Sequence, residues 1–141
     1  MPIDLLRDLE MRLALGLRAD AARLALREAT ARVLLAVGDE EAVAMSEVAR
    51  RVGRDPSTAT RFVDRATADE LLQREPGAED RRRRLVRLTD KGRKARTHLQ
   101  EVRRRRAEAL LEAILADTGL GEGQVEWFLK AFVNGLQQPG A

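Results

Sequence analysis

A helix-turn-helix pattern followed by a basic hairpin constrains the fold of this chain most strongly. Met45–Val52 reads as a short helix, Gly53 as a tight turn, and Asp55 as the cap of a second helix with Pro56 at its first position. One face of the second helix is apolar at positions i, i+3, i+4 and i+7, which are Ala59, Phe62, Val63 and Ala66. This spacing predicts that the opposite, polar face of the helix is exposed.

Two short segments after this helix predict an antiparallel hairpin. Leu71 to Glu75 is the expected first strand, a loop with turn residues follows, and Arg84 to Leu88 is the expected return strand. Thr89 is expected to cap a long helix that reaches about Ala116. The remaining sequence is rich in Ala and Leu, which favour helix, so we expect strands in the hairpin alone.

Amphipathic helices are predicted at both ends of the chain. One runs from Ile3 to about Leu17, and a second runs from Asp20 to Val37, where Gly38 is expected to end it in the left-handed conformation. A last helix carries a one-sided set of apolar residues, namely Val125, Phe128, Leu129, Phe132, Val133 and Leu136. The terminal helices have more apolar surface than one small lobe can cover, which predicts pairing of two copies.

The charge of the chain is concentrated in one region. Thirteen of the 26 Lys and Arg residues lie between Arg81 and Arg106 against two acidic residues, a local charge of +11. The rest of the chain carries a charge of −8. Positive and negative charge are therefore strongly separated along the chain, although the net charge is only +3. A basic region set against an acidic remainder is typical of a protein that docks on a polyphosphate in one orientation.

The polar face of the second helix supplies candidates for contact with the DNA major groove. Ser57 and Thr58 lie in its first turn, where free amide protons and a partial positive charge suit a phosphate or a base edge. Thr60 and Arg61 follow on the same face and are the candidates for reading sequence, because arginine binds guanine bidentately and a threonine methyl contacts thymine.

The tip of the hairpin supplies candidates for the minor groove. Asp80 lies two residues before Arg82, so its carboxylate is expected to orient that guanidinium, and a positioned arginine suits the negative potential of a narrow minor groove. Phosphate contacts, which fix register without reading sequence, are expected from Arg81, Arg83, Arg84 and Arg87. By contrast, Arg103 to Arg106 is interpreted as a solvated, salt-bridged helix face with at least one inward residue.

The inventory of reactive residues is poor for an enzyme. The chain has no cysteine, no tyrosine and one histidine, and it lacks a phosphate-binding glycine loop and metal-ligand spacing. Asp39 to Glu41 is interpreted as a solvated turn rather than a metal site. We therefore expect no catalytic residue, no metal and no cofactor. The chain shows no signal peptide and no long apolar run, so we expect a cytoplasmic protein without a membrane segment.

The stretch from about Leu26 to Leu99 resembles the MarR family of bacterial winged-helix transcription regulators. Three segments carry the resemblance in order and spacing: Asp55 to Arg65, Glu79 to Arg82, and Leu85 to Gly92. The resemblance implies an obligate homodimer held by its terminal helices, a palindromic operator and often a small aromatic acid or phenol as effector. It also implies that Arg82 is the minor-groove arginine and Asp80 its positioning partner.

Four positions depart from the family pattern. Ala66 and Glu70 replace leucine and glycine after the recognition helix, which predicts a longer or helical exit turn and an altered wing angle. Ala44 replaces a capping Ser or Thr, so the helix after it is expected to start nearer Ser46. Arg27 replaces a capping threonine, which predicts that the first helices run together.

The sequence thus predicts a mainly α fold with a small β-hairpin wing. We expect a winged helix-turn-helix lobe over residues 26–99 and dimerisation helices over residues 1–25 and 100–138. The predicted function is a sequence-specific DNA-binding regulator, a repressor acting as a homodimer on double-stranded DNA and released by a small ligand. The alternative is an architectural or protein-interaction winged helix that binds nucleic acid without reading it.

Overall fold

The computed structural model describes residues 1–38 and 42–137. The predicted turn at Asp39 to Glu41 lies outside the described residues. Within them the chain forms six helices and three strands. These are α1 (Pro2–Arg23), α2 (Glu28–Ala36), β1 (Val43–Ala44), α3 (Met45–Val52), α4 (Pro56–Ala68), β2 (Leu72–Pro76), β3 (Arg84–Leu88), α5 (Asp90–Thr118) and α6 (Glu122–Gln137). The prediction of a mainly α fold with a β-hairpin wing is confirmed.

Two compact units divide the chain, Met1–Arg103 and Arg104–Ala141. The core of the first unit is aliphatic and joins α2, α3, α4 and the sheet. Its fully buried members include Leu34, Val48, Val63, Val86 and Leu88. Burial of side chains from helices and strands together fixes the recognition helix against the wing hairpin.

The sheet has three strands in the order β1-β3-β2, all antiparallel. The expectation that strands occur in the hairpin alone was wrong, because Val43 and Ala44 pair with Val86 and Leu85 of β3. The first hairpin strand begins one residue later than predicted, at Leu72, whereas Arg84–Leu88 was placed correctly. A two-residue strand has too little periodicity to be visible in sequence, since its pairing depends on a partner far along the chain.

The boundary between the first two helices was predicted wrongly. Helix α1 continues to Arg23 and α2 starts at Glu28, and Ala25 between them has a φ of 54°. The helices therefore do not run together, although Arg27 makes no side-chain cap. Gly38 is not the left-handed terminator, since α2 already ends at Ala36 with Val37 in an extended conformation.

An ion pair between a buried aspartate and a partly exposed arginine lies where α1 continues past the predicted break. Asp20 is 2% exposed, and its Oδ2 lies 3.6 Å from Nη1 of Arg103 on α5. Around the pair, Ala21, Ala31 and Leu99 form a small second core. Arg103 is thus the inward residue expected of the basic run, and Arg104 pairs with Glu108 on the helix surface as also expected.

The exit from α4 is a non-helical turn. The helix ends at Ala68, β2 begins at Leu72, and Glu70 between them adopts the left-handed conformation with a φ of 61°. The Leu71 N–H donates to the Ala66 carbonyl at 2.9 Å and closes the turn. Glu70 thus occupies a conformation that glycine adopts without steric cost.

The start of α5 locks this exit turn in place. The Thr89 hydroxyl donates to the Glu70 carbonyl at 2.6 Å and accepts from the Gly92 N–H at 3.0 Å, so Thr89 caps α5 as predicted. A Cβ at Gly92 would lie 2.0 Å from the Leu71 carbonyl oxygen. Only glycine allows α5 to approach the backbone of Leu71, just before β2, this closely.

The terminal helices expose large apolar side chains. In α1 the exposed set is Ile3, Leu5, Leu6, Leu9, Met11, Leu13 and Leu15. In the second unit, α6 buries Val125 and exposes Trp127, Phe128, Leu129, Val133 and Leu136. No helix among the described residues has the length and apolarity to cross a lipid bilayer.

Candidate nucleic-acid interface

The helix-turn-helix has the predicted geometry. Helix α3 spans Met45–Val52 and Gly53 ends it with a φ of 72°. It begins directly after Ala44, so the expected later start near Ser46 was wrong. The short helix and the left-handed glycine bring the chain back toward the core, where α4 starts.

The start of α4 is held by Asp55. The backbone of Asp55 is extended, its Oδ2 accepts a hydrogen bond from the Thr58 N–H at 3.0 Å, and Pro56 occupies the first turn. This arrangement satisfies one free amide of the helix start, and proline lacks the amide that would otherwise need a partner. The predicted cap is therefore present.

The same carboxylate also binds the two hydroxyls of the first turn. Ser57 Oγ donates to Oδ2 at 2.5 Å and Thr58 Oγ1 donates to Oδ1 at 2.7 Å. The hydroxyl hydrogen bonds and the Thr58 amide hold the pKa of Asp55 well below its ordinary value near 3.8. Asp55 is thus a stable negative charge at the tip of the helix.

The polar face of α4 is open to solvent. Ser57 and Arg61 are exposed, and Thr58 and Thr60 are half-buried. The Thr60 hydroxyl donates to the Pro56 carbonyl at 2.8 Å. On the opposite side of α4 the inward residues Ala59, Val63 and Ala66 are buried and Phe62 is half-buried, as the apolar spacing predicted. All four candidate residues of the major groove are therefore presented on one accessible face.

The wing is the hairpin of β2 and β3, paired from Leu72 with Leu88 to Pro76 with Arg84. Its loop is narrow, because the Gly77 N–H donates to the Arg83 carbonyl at 2.9 Å. A Cβ at Gly77 would lie 2.5 Å from the Asp80 carbonyl oxygen, so glycine is required for this closure. The candidate residues Asp80, Arg81, Arg82 and Arg84 are all exposed.

Asp80 organises the backbone of the wing tip. Its Oδ1 accepts a hydrogen bond from the Arg82 N–H at 2.9 Å, and its carbonyl accepts from the Arg83 N–H at 3.1 Å. From the sequence we expected the carboxylate to hold the guanidinium of Arg82. The structure places the hydrogen bond at the main chain instead, so Asp80 fixes where the Arg82 side chain leaves the loop.

Sequence analysis missed the link between α4 and the wing. Asp64 on α4 and Arg74 on β2 form a salt bridge of 2.6 Å between Oδ1 and Nη2. Within the hairpin, Arg87 lies 3.6 Å from Glu75 across the strands. The helical spacing placed Asp64 on the outer face of α4, and its pairing with Arg74 depends on the turn between α4 and β2.

The described residues contain no candidate metal-binding site. No group of three or more His, Cys, Asp or Glu side chains in residues 1–38 and 42–137 is arranged to hold a metal ion. The two carboxylates of α4 are both engaged, Asp55 in the cap and Asp64 in the link to the wing.

A sequence profile of the MarR family matches residues 26–83 of the chain. No curated protein sequence matches it significantly. Solved structures similar to the chain include the transcriptional regulator BldR from Sulfolobus solfataricus, which is 26% identical with a TM-score of 0.65, the alignment covering 94% of this chain and 95% of BldR.

Two further structures support the same fold. RV1404 from Mycobacterium tuberculosis is 24% identical with a TM-score of 0.73, and the alignment covers 100% of this chain and 98% of RV1404. BpsR from Bordetella bronchiseptica, a protein whose DNA binding is regulated by 6-hydroxynicotinic acid, is 22% identical with a TM-score of 0.72 and coverages of 99% and 95%. The profile match over residues 26–83, the shared fold and the winged helix-turn-helix support a MarR-family winged-helix regulator.

Proposed function

We propose that the chain is a sequence-specific repressor that binds a palindromic operator as a homodimer. The observation that carries this proposal is the salt bridge between Asp64 and Arg74, which ties the exposed face of α4 to the arginine-tipped wing. A linked helix and wing can enter a major groove and the neighbouring minor groove as one body.

The charge distribution supports the orientation on DNA. Arg81 to Arg84 are four consecutive exposed arginines at the wing, and Arg61 lies exposed on α4. Within this surface we assign Arg82 to the minor groove and Arg81 and Arg84 to phosphates. Ser57, Thr58, Thr60 and Arg61 are assigned to the major groove. Bases in the major groove are distinguished by their donor and acceptor pattern, whereas phosphate contacts supply affinity without sequence preference.

The exposed apolar residues of the terminal helices support a homodimer. Trp127 on α6 is 73% exposed and Leu5 on α1 is 72% exposed. Helices α5 and α6 also enclose an open groove of about 460 Å³ with apolar lining residues Leu111, Val125, Leu129 and Val133. A second copy would remove these surfaces from water and would place two recognition helices ~34 Å apart, one turn of DNA.

Release by a small ligand is part of the proposal. The regulation of BpsR by 6-hydroxynicotinic acid supports a small aromatic acid or phenol as the effector class. A ligand could release this protein from DNA only to the extent that it binds one spacing of the two recognition helices better than the other.

Binding to DNA from upstream of the protein's own gene tests the proposal, with fluorescence anisotropy as the readout and scrambled duplex as the control. At physiological salt a regulator should prefer its site by at least ~1000-fold. Equal affinity for both duplexes would favour the architectural winged helix instead. Sedimentation equilibrium of the free protein should give a dimer, and a monomer at working concentrations would refute the proposed assembly.

A further inference from the structure

The three hydroxyl groups on the exposed face of α4 share one property. Each of them already donates its proton inside the protein. Ser57 Oγ and Thr58 Oγ1 donate to the Asp55 carboxylate at 2.5 and 2.7 Å, and Thr60 Oγ1 donates to the Pro56 carbonyl at 2.8 Å. A hydroxyl has one proton and two lone pairs, so what remains for a ligand is acceptor capacity.

The hydrogen bonds to Asp55 are the stronger constraint. A hydroxyl that donates to an ionised carboxylate makes a charge-assisted bond, which is roughly twice as strong as a neutral one. The same carboxylate accepts the Thr58 N–H at 3.0 Å, so its orientation is fixed by the helix start. The Ser57 and Thr58 protons are therefore held toward Asp55 rather than toward the DNA.

This arrangement disfavours phosphate as the partner of the first turn. Phosphate oxygens only accept hydrogen bonds, and a hydroxyl with a committed proton has nothing to donate to them. The charge of Asp55 also repels a phosphate and occupies the position where an anion would otherwise meet the helix dipole. Base edges with donor groups remain as partners, and in the major groove these donors are the amino groups of adenine N6 and cytosine N4.

We propose that Asp55 is a specificity-determining positioning residue, which makes Ser57 and Thr58 acceptors that select an adenine or cytosine amino group in each half-site. The guanidinium of Arg61 on the same face has donors only. It would therefore bind the acceptor atoms of guanine. This inference rests on the proposed sequence-specific function and adds to it the chemical class of the bases that are read.

The test begins with selection of duplexes from a randomised pool by the full chain, by Ser57→Ala and by Thr58→Val. Failure of the full chain to enrich any sequence would overturn the proposed function itself. Enrichment by the full chain with an altered preference in the two variants identifies the base pairs that the hydroxyls read. Enrichment of one unchanged sequence by all three proteins would overturn the inference and leave the regulator intact.

At the identified base pairs, base analogues separate donor from acceptor. Purine in place of adenine, or 2-pyrimidinone in place of cytosine, removes the amino group. We expect this change to weaken binding by the full chain about three- to tenfold, the range for one lost hydrogen bond. At the base pair that the missing hydroxyl reads, removal of the amino group should leave the affinity of Ser57→Ala or Thr58→Val unchanged. A 7-deazapurine, which removes an acceptor, should be neutral there. The reverse pattern would show that the hydroxyls donate and would overturn the inference.

Asp55→Asn is the matched test of the positioning role. Asparagine caps helices about as well as aspartate, so the fold should persist, which circular dichroism can verify. Its amide nitrogen donates, so at least one hydroxyl loses its acceptor and can turn its proton outward. We expect the ratio of affinities for the amino and amino-free duplexes to fall toward one. An unchanged ratio would contradict the assigned role. The loss of the Asp55 charge does not bias the ratio, because it changes the affinity for both duplexes equally.

Discussion

Asp64 on α4 and Arg74 on β2 lie 2.6 Å apart and join the recognition helix to the wing. Both side chains are partly exposed, Asp64 at 54% and Arg74 at 35%. A pair of this exposure contributes little to folding stability because water screens its charges. Its consequence is geometric, since the two elements that are proposed to enter adjacent grooves are held at one separation.

Arg74→Gln should therefore separate stability from recognition. We expect the free energy of unfolding to fall by ~0.2 to 1 kcal/mol. The preference for operator over scrambled duplex should fall about two- to fivefold, equivalent to ~0.4 to 1 kcal/mol, because one of the contacts that hold the wing against α4 is lost. Anisotropy with both duplexes measures this preference.

Arg87→Gln is the matched control for this change. It removes the same charge from the hairpin but breaks the pair with Glu75, which lies within the wing. Its preference for operator should stay near that of the unchanged protein. An equal loss of preference in both variants would mean that charge, and not the link to α4, matters.

Arg82→Ala and Arg84→Ala should affect DNA binding differently, the first lowering mainly affinity for the operator and the second lowering affinity for all duplexes. Arg82 leaves a loop that Asp80 fixes, so its loss should weaken operator binding by ~1 to 3 kcal/mol with a smaller effect on scrambled DNA. Arg84→Ala should lower affinity for all duplexes and reduce the slope of affinity against salt. Titrations at several salt concentrations distinguish the two, and a uniform loss for Arg82→Ala would remove its assigned role.

Glu70→Gly should stabilise the protein. Glu70 has a φ of 61°, a conformation that costs an L-residue roughly 1 to 2 kcal/mol, whereas glycine adopts it freely at the expense of some backbone entropy. We expect a net gain of ~0.5 to 1 kcal/mol in urea unfolding. Glu70→Ala keeps the strain and serves as control, and a loss of stability with glycine would contradict this account of the turn.

Gly92→Ala should strongly destabilise the first unit. The added Cβ would meet the Leu71 carbonyl oxygen, which is backbone and cannot move alone. We expect a loss of ~2 kcal/mol or more, within the upper range for forced overpacking. Gly123→Ala on α6, where a Cβ meets nothing within 4 Å, should be neutral or slightly stabilising. Equal effects of the two substitutions would contradict the close approach of Gly92 to the backbone of Leu71.

Stability should depend on pH through Glu47. Hydrogen bonds from Arg50 and Arg51 lower the pKa of Glu47 from 4.5 to about 2. Because the folded pKa lies below the unfolded one, the stabilisation is complete above pH 4.5 and is lost as the pH falls toward 2. The stability difference between the unchanged protein and Glu47→Gln should therefore shrink between pH 5 and pH 2.5 in urea unfolding. A difference that is constant over this range would contradict the pKa shift.

The helix-turn-helix could be predicted from sequence because its signals are local. Asp55, Pro56 and Gly53 act within a few residues of where they stand, and the four apolar positions of α4 share one face. The hairpin also follows from local turn and strand preferences, with an error of one residue at Leu72.

The errors concern features that depend on distant partners. The true break between α1 and α2 lies at Ala25, an alanine that gives no sequence signal for a positive φ. Asp20 reads as a helix-starting residue, yet it is buried against Arg103 from the far end of the lobe. In the site, the cap at Asp55 was foreseeable, whereas the pairing of Asp64 with Arg74 depends on where β2 runs after the turn at Glu70.

Changing the distance between the two half-sites of the operator shows whether two linked copies of the chain bind them together. The operator is selected from randomised duplexes, and five base pairs are then inserted at its centre, which turns one half-site by about half a helical turn. If a dimer reads both halves, affinity should fall close to that of scrambled duplex. Unchanged affinity after the insertion would contradict the proposal that two linked copies of the chain read one operator.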